Sequence, residues 1–163
     1  LSERTGYPIP FEAGDAVSLR YKDESFDGAL FSYQGFMCIH GRDNRIRALR
    51  EVRRVLQPGG HFIFTTHERY AQDWVPFWEE EEARWREGRQ DPRLLEFGDR
   101  ILMDSGTWTF VHFPTRDEVE QTVQESSLVL VEDAVRSELS PDTEAGVESS
   151  AADCRMWVVR RPM

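Results

Sequence analysis

Apolar and polar positions follow two distinct rhythms along this chain. Between Asp43 and Leu56 the apolar residues Ile46, Leu49, Val52, Val55 and Leu56 recur at steps of three and four, which predicts an amphipathic helix over 43–56. Asp43 stands at the N-cap position, where its carboxylate can accept a bond from an unpaired first-turn amide. Pro58, Gly59 and Gly60 stop the helix, since proline cannot continue it and glycine tolerates a left-handed exit. The following run, HFIFTT, is apolar, aromatic and β-branched, and predicts a strand over 61–66 covered on both faces. Helix, Pro-Gly-Gly and strand form half of an α/β crossover.

Upstream, Leu1–Gly6 reads as the tail of a helix, and Ile9 and Phe11 alternate in a short strand over 9–13 that ends at Gly14-Asp15-Ala16. A polar loop from Leu19 to Asp27 is anchored by Phe26, and a second short strand is expected over 28–32. Its carboxyl end carries the polar cluster Ser32-Tyr33-Gln34-Gly35. Downstream, residues 68–109 form a helical insertion rich in tryptophan and acid, with Trp74, Trp78 and Trp85 on one helical face and Glu79–Glu82 in the turns after Pro76. An aromatic stripe of this kind usually marks burial; a lid over a substrate is the functional alternative. The segment from Asp91 to Gly106 is a connector with short extended pieces. TWTFVHFP alternates into a strand, with Trp108, Phe110 and His112 on one side and Val111 and Phe113 on the other. Thr115 and Glu118 have capping-box spacing for a helix over 115–126. Antiparallel strands are expected over 128–134 and 155–161, joined by a polar, mobile loop at 140–153.

Composition narrows the function classes. A net charge of −10 over 163 residues opposes broad binding to nucleic acid or to anionic membrane surfaces, so neither is expected as a partner. The arginines of GRDNRIRALREVRRV are interrupted by Glu51 and read as a solvated helix face with local ion pairs. Cys38 and Cys154 form no framework and no metal-ligand spacing; reduced thiols in a cytoplasmic protein are the simplest reading, and no metal is expected. No apolar run reaches membrane-spanning length. One domain is expected over 1–163.

Three elements in order, GDA, DESFDGALFS and ALREVRRVLQPGGHFIFTTH, carry a family resemblance. Their sequence and spacing are similar to the class I S-adenosylmethionine-dependent methyltransferases of the small-molecule type. The resemblance implies a Rossmann-like α/β fold with a mostly parallel sheet and an antiparallel final strand. It also implies S-adenosylmethionine as cofactor and a small-molecule methyl acceptor. In such proteins the acidic residue after the third strand meets the adenine amine, which falls on Asp15, flanked by Gly14 and Ala16. Backbone groups at the end of the fourth strand face the methionine part, which falls on Ser32 and Tyr33. For an isolated Gly-Asp pair, a plain turn capped by the aspartate is the competing account.

The chain departs from that family where its glycine-rich loop and its ribose-binding acid should stand, and no Gly-x-Gly joins a strand to a helix here. The first two strands of the sheet are therefore expected to be absent, leaving the strand at Ala29–Phe31 with an open edge. Residues upstream of Leu1, a second copy in a homodimer, or the loss of cofactor binding in a noncatalytic dimerisation module would each account for this. Methyl transfer needs alignment of an incoming lone pair and, for a protonated acceptor, a base. Histidine suits the second task, and His40, His67 and His112 are the candidates; His61 lies at the opposite strand end.

Overall fold

The structure, a computed structural model, describes residues 9–71, 74–104, 106–139 and 154–163. The expected helix tail at the amino terminus and the loop at 140–153 lie outside the described residues. In chain order the elements are β1 (Phe26–Phe31), a 3-10 turn (Gly35–Cys38), α1 (Arg42–Val55), β2 (Leu56–His67), α2 (Val75–Arg86), β3 (Asp99–Asp104), β4 (Thr107–His112), α3 (Arg116–Glu125), β5 (Val129–Val135), α4 (Arg136–Leu139) and β6 (Cys154–Arg160). Four strands form a mixed sheet in the order β1-β2-β6-β5, and β3 with β4 forms a separate antiparallel hairpin. β1 runs parallel to β2, while β6 is antiparallel to both β2 and β5. This is the expected α/β class, with a parallel pair and an antiparallel final strand, β6, which lies inside the sheet.

One face of the sheet holds the core. Phe62, Phe64, Trp157 and Val159 alternate inward and are essentially inaccessible to solvent. Register places Phe62 beside Val159 and Phe64 beside Trp157, so rings stack across strands, with Phe64 and Trp157 centroids 6.0 Å apart. Ala48 and Leu49 of α1 and Val119 and Val123 of α3 close over this layer. Burying a side chain of that size contributes about 1.5–3 kcal/mol, so these few positions fix which helix faces meet the sheet. The buried Trp157 Nε1 donates to Thr66 Oγ1 at 2.9 Å, satisfying the polar atom of the central ring. β2 was expected to be covered on both faces. Instead His61 is exposed and Ile63, Thr65 and His67 are only half-buried, because α1 and α3 sit on the Phe62–Phe64 side.

Two further expectations need correction. Residues 9–13 form no strand; Ile9 and Phe11 are exposed, and the only pairing nearby is an isolated bridge between Asp15 and Ser18. A strand needs a neighbour for its amides, and among the described residues nothing pairs with β1 on the side away from β2. Asp43 is not the N-cap of α1 either: the cap is Gly41, at φ +81°, and Asp43 lies inside the first turn, where its charge favours the helix dipole. At the other end α1 stops at Val55, ahead of Pro58, and β2 starts at once. Gly60 is required there, since a Cβ would fall 2.9 Å from the carbonyl oxygens of both Asp27 and Gln57.

The arginines of α1 do more than solvate a face. The Arg54 guanidinium bonds the carbonyls of Leu19 and Tyr21 together with Asp23 and Glu51, fixing the loop that leads into β1. Arg45 is buried, donating to Ile39 O at 3.1 Å and to Glu96 at 2.6 Å. Arg42 forks onto Glu125, and Arg50 and Arg53 reach the carbonyls of Glu125 and Ser127 at the end of α3. They clamp one element to another. At the start of α3 the capping box forms as its spacing predicts, with Thr115 and Glu118 exchanging bonds.

Candidate active site

The carboxyl ends of β1 and β2 point to the same edge of the sheet because the two strands are parallel. In open α/β sheets ligands gather at that edge. Along β1, a cavity of about 460 Å³ is lined on its polar side by Gly14, Asp15 and Ala16, and on its apolar side by Ala29, Phe31 and Leu49 among others. Its volume falls within the range of small-molecule sites. Asp15 is exposed, and its Oδ1 accepts from the Val17 amide at 3.0 Å, so the capped turn weighed from the sequence is present. The same carboxylate borders the cavity, so a cap and a ligand contact are compatible roles for its two oxygens. A Cβ added at Gly14 would meet nothing within 4 Å, which leaves open space beside the turn.

Ser32 and Tyr33 follow β1 directly and are exposed, outside the lining of that cavity. Tyr33 and Gln34 both adopt left-handed backbone, at φ +61° and +51°. Two such non-glycine residues in succession are strained, and the turn is held by the Gln34 amide donating to Thr65 Oγ1 at 3.0 Å. The strain turns the chain sharply away from the sheet edge and into the 3-10 turn.

The three histidines are placed very differently. His67 is the last residue of β2 and borders a second cavity, of about 220 Å³, with Trp74, Phe77, Trp78, Leu102 and Phe113. Its ring stacks on Phe113 at 4.6 Å, and burial holds its pKa below the ordinary histidine value, favouring the neutral ring. His112 is buried at the end of β4, with Nδ1 2.8 Å from Asp99 Oδ1. His40 is exposed, and its ring edge meets Phe110 at 4.5 Å. The structure brings His67 to a cavity at the carboxyl sheet edge, whereas His112 and His40 lie outside that lining.

Sequence reasoning missed the partner of His112. Asp99 is buried, and its other oxygen accepts the amides of Leu95 and Glu96 at 2.9 and 3.1 Å. Burial works to raise the Asp99 pKa, but the bonds from His112 and the two amides hold it below the usual carboxylate range. Glu96, Asp99 and His112 bring one potential metal-ligand atom each within 4.8 Å of one another. Those groups are already engaged: Glu96 binds Arg45, and Asp99 binds His112 and the backbone. The cluster locks the hairpin to α1. Its only sequence signal was the composition of a stretch read as a connector.

Arg69, also missed, supports the aromatic wall. It is buried, donates to Phe113 O at 2.7 Å and Phe97 O at 3.0 Å, and pairs with Glu118 at 2.6 Å. Its guanidinium lies 4.9 Å from the Phe97 ring and 5.9 Å from the Trp78 ring. Gly98, at φ +106°, leaves room for it, since a Cβ there would fall inside the guanidinium. Trp78 packs edge-on to Phe77 and Phe97 and tilts against Phe113, so the burial expected of the tryptophan stripe holds most fully at that residue.

The chain is similar to known proteins in part of its sequence and in its fold. The family described as "Methyltransferase domain" matches residues 2–64. A demethylmenaquinone methyltransferase of Streptomyces griseus subsp. griseus is 41% identical over 69 residues, which are 42% of this chain and 27% of that protein. The match thus spans little more than a quarter of the curated relative. Among solved structures, a SAM-dependent methyltransferase of Methanosarcina mazei aligns with a TM-score of 0.68 at 17% identity, over 94% of this chain and 67% of that one. A 1,6-didemethyltoxoflavin-N1-methyltransferase of Burkholderia thailandensis, solved with its acceptor and S-adenosylhomocysteine, aligns at 0.56 and 16% identity, over 99% of this chain and 55% of that one.

Proposed function

The chain has the fold of the class I S-adenosylmethionine-dependent methyltransferases and matches their domain over residues 2–64; on that premise we propose that it transfers a methyl group from S-adenosylmethionine to a small-molecule acceptor. The observation that carries this reading is the position of Gly14, Asp15 and Ala16 on the cavity beside β1. Those residues fit the cofactor: an exposed carboxylate can accept from an adenine amine, the Ala16 amide can donate to a ring nitrogen, and Gly14 leaves open space. The backbone turn at Ser32 and Tyr33 would hold the amino-acid portion. When bound, the cofactor supplies a methyl group already activated by a sulfonium.

The remaining work falls to the protein. His67, neutral and at the sheet edge, is the group we assign to accept the acceptor's proton at a ring nitrogen. The aromatic wall around it excludes water. His112, already bonded to Asp99, and His40, exposed, are assigned positioning and packing roles. The demethylmenaquinone methyltransferase of Streptomyces griseus subsp. griseus is named for a quinone, not for a protein or nucleic acid, which supports a small-molecule acceptor here.

The test is transfer of an isotope-labelled methyl by the full-length protein to a panel of small phenols and amines, read by mass spectrometry. Label is expected in a panel member, and His67→Ala is expected to slow transfer by about 10²–10⁴ at neutral pH, the usual worth of a general base. Label found only in protein or RNA would overturn the proposal, and an unaffected His67→Ala would remove that assignment.

A further inference from the structure

A third cavity, of about 320 Å³, is lined by the end of α2, the chain that follows it and the β3–β4 hairpin. Arg84, Arg89, Arg93 and Arg100 border it, against the carboxylates Glu81 and Asp91. Such an excess is unexpected in a chain whose net charge is −10. The cavity shares no lining residue with the one beside β1 and only Arg100 with the one at His67. It has no part in the proposed function and stands independently of it.

Local structure gathers these arginines. Gly88 takes the left-handed backbone that ends α2, at φ +69°, and the chain folds back over the last turn. The Arg89 amide donates to the Arg84 carbonyl at 2.8 Å, and the Gly88 amide to the Trp85 carbonyl at 3.1 Å. Those bonds also occupy carbonyls at the negative end of the helix dipole, which would otherwise repel an anion.

Charge pairing within the cluster is incomplete. Arg93 forks onto Asp91, and Arg89 pairs with Glu87. Glu81 is buried and serves two cations: its Oε1 accepts from Arg84 at 2.6 Å, and its Oε2 lies 3.1 Å from Arg100. Among the described residues no other carboxylate pairs with either guanidinium. One carboxylate therefore fixes two guanidiniums on the cavity wall and cancels only one of their two charges. A guanidinium has five N–H donors, and Glu81 engages one nitrogen of each. The Arg84 side chain is 48% exposed and that of Arg100 26%, so donors remain within reach of a ligand. Trp108 adds a flat apolar ring to the same lining, 63% exposed.

We propose that this cavity binds a small phosphate monoester bearing a flat ring, the phosphate meeting Arg84 and Arg100 and the ring resting against Trp108. Cations reach the cavity from α2, from the chain after it and from the hairpin. Three phosphate oxygens with nearly two negative charges suit that convergence better than the two oxygens of a carboxylate. The volume matches the lower end of small-molecule sites.

The test is calorimetric titration of the full-length protein with phenyl phosphate, inorganic phosphate, benzoate and phenol. Phenyl phosphate is expected to bind most tightly of the four, and to weaken as salt rises. Arg84→Gln is expected to weaken phenyl phosphate by about tenfold, the worth of one hydrogen bond to a charged group. Arg86→Gln, which removes an exposed arginine paired with Glu82 outside the lining, should leave it unchanged. Trp108→Ala is expected to bring phenyl phosphate down to the affinity of inorganic phosphate, whose own binding stays the same. All three side chains are about half exposed or more, so the variants keep the fold. Benzoate or phenol binding as tightly as phenyl phosphate, equal losses in Arg84→Gln and Arg86→Gln, or no saturable binding of phenyl phosphate by the folded protein would overturn the proposal.

Discussion

Removing the Arg69 side chain is the perturbation whose cost can be worked most fully from the structure. Arg69→Ala deprives two backbone carbonyls, those of Phe113 and Phe97, of a charged donor at 2.7 and 3.0 Å. Hydrogen bonds to charged groups are worth about 1.5–3 kcal/mol each when buried. The third contact counts for less: Glu118 is 40% exposed and keeps its bond from the Thr115 amide, so solvent screens the loss of its partner. Relief of the desolvated guanidinium offsets part of the total. The expected loss is about 3–5 kcal/mol, the worth of the two buried charged hydrogen bonds less that relief. For a protein of this length that corresponds to a fall in Tm of roughly 10 °C. Urea unfolding followed by tryptophan fluorescence measures it, and Trp78 beside Arg69 makes the signal local as well as global. Arg42→Ala, which removes an exposed pair with Glu125, serves as the control and should leave stability nearly unchanged. A loss below about 1 kcal/mol at Arg69 would refute the claim that this arginine holds the aromatic wall together.

Two further outcomes are expected. Because burial lowers the folded-state pKa of His67 below its unfolded value near 6.5, the native state binds fewer protons there; its contribution to stability is full above about pH 6.5 and is lost as pH falls through that value and below. Thermal unfolding at pH 7.5, 6.0 and 5.0 should therefore fall less steeply for His67→Phe than for the wild type, and parallel curves would contradict the burial argument. Gly60→Ala forces a Cβ against two carbonyl oxygens 2.9 Å away and should cost about 1–3 kcal/mol in chemical denaturation, whereas a neutral effect would mean that the junction relaxes freely.

These sites differ in how far the sequence reveals them, for physical reasons. The helix of Arg42–Val55 is encoded by local periodicity, so reading along the chain finds it to within a residue, whereas the strand expected over 61–66 begins at Leu56 and runs through Pro58, Gly59 and Gly60, because Leu56 already pairs with Phe26 of β1. The capping box at Thr115 is equally local. Residues 9–13 have a strand-like pattern, yet a strand exists only with a partner, and that partner is not something a pattern can supply. The Asp99–His112 bond depends on the register of a hairpin whose first strand carries no clear alternation. Arg69 is invisible for the same reason, since its three acceptors lie 28 to 49 positions away. Of the residues on the first two cavities, His67 is legible from its place at the end of β2 and Asp15 only through the family resemblance, since no strand precedes it, while the aromatic cavity needs α2 and the hairpin to be brought together.

The central claim is that the turn at Asp15 belongs to an S-adenosylmethionine site. Calorimetric titration of S-adenosylhomocysteine into the full-length protein and its Asp15→Ala variant tests it most directly. The account predicts saturable one-to-one binding by the wild type and an affinity lower by about threefold to a hundredfold in a folded Asp15→Ala variant, the worth of one bond to a charged acceptor. A folded variant that binds as tightly as the wild type, or a wild type that does not bind at all, would contradict it.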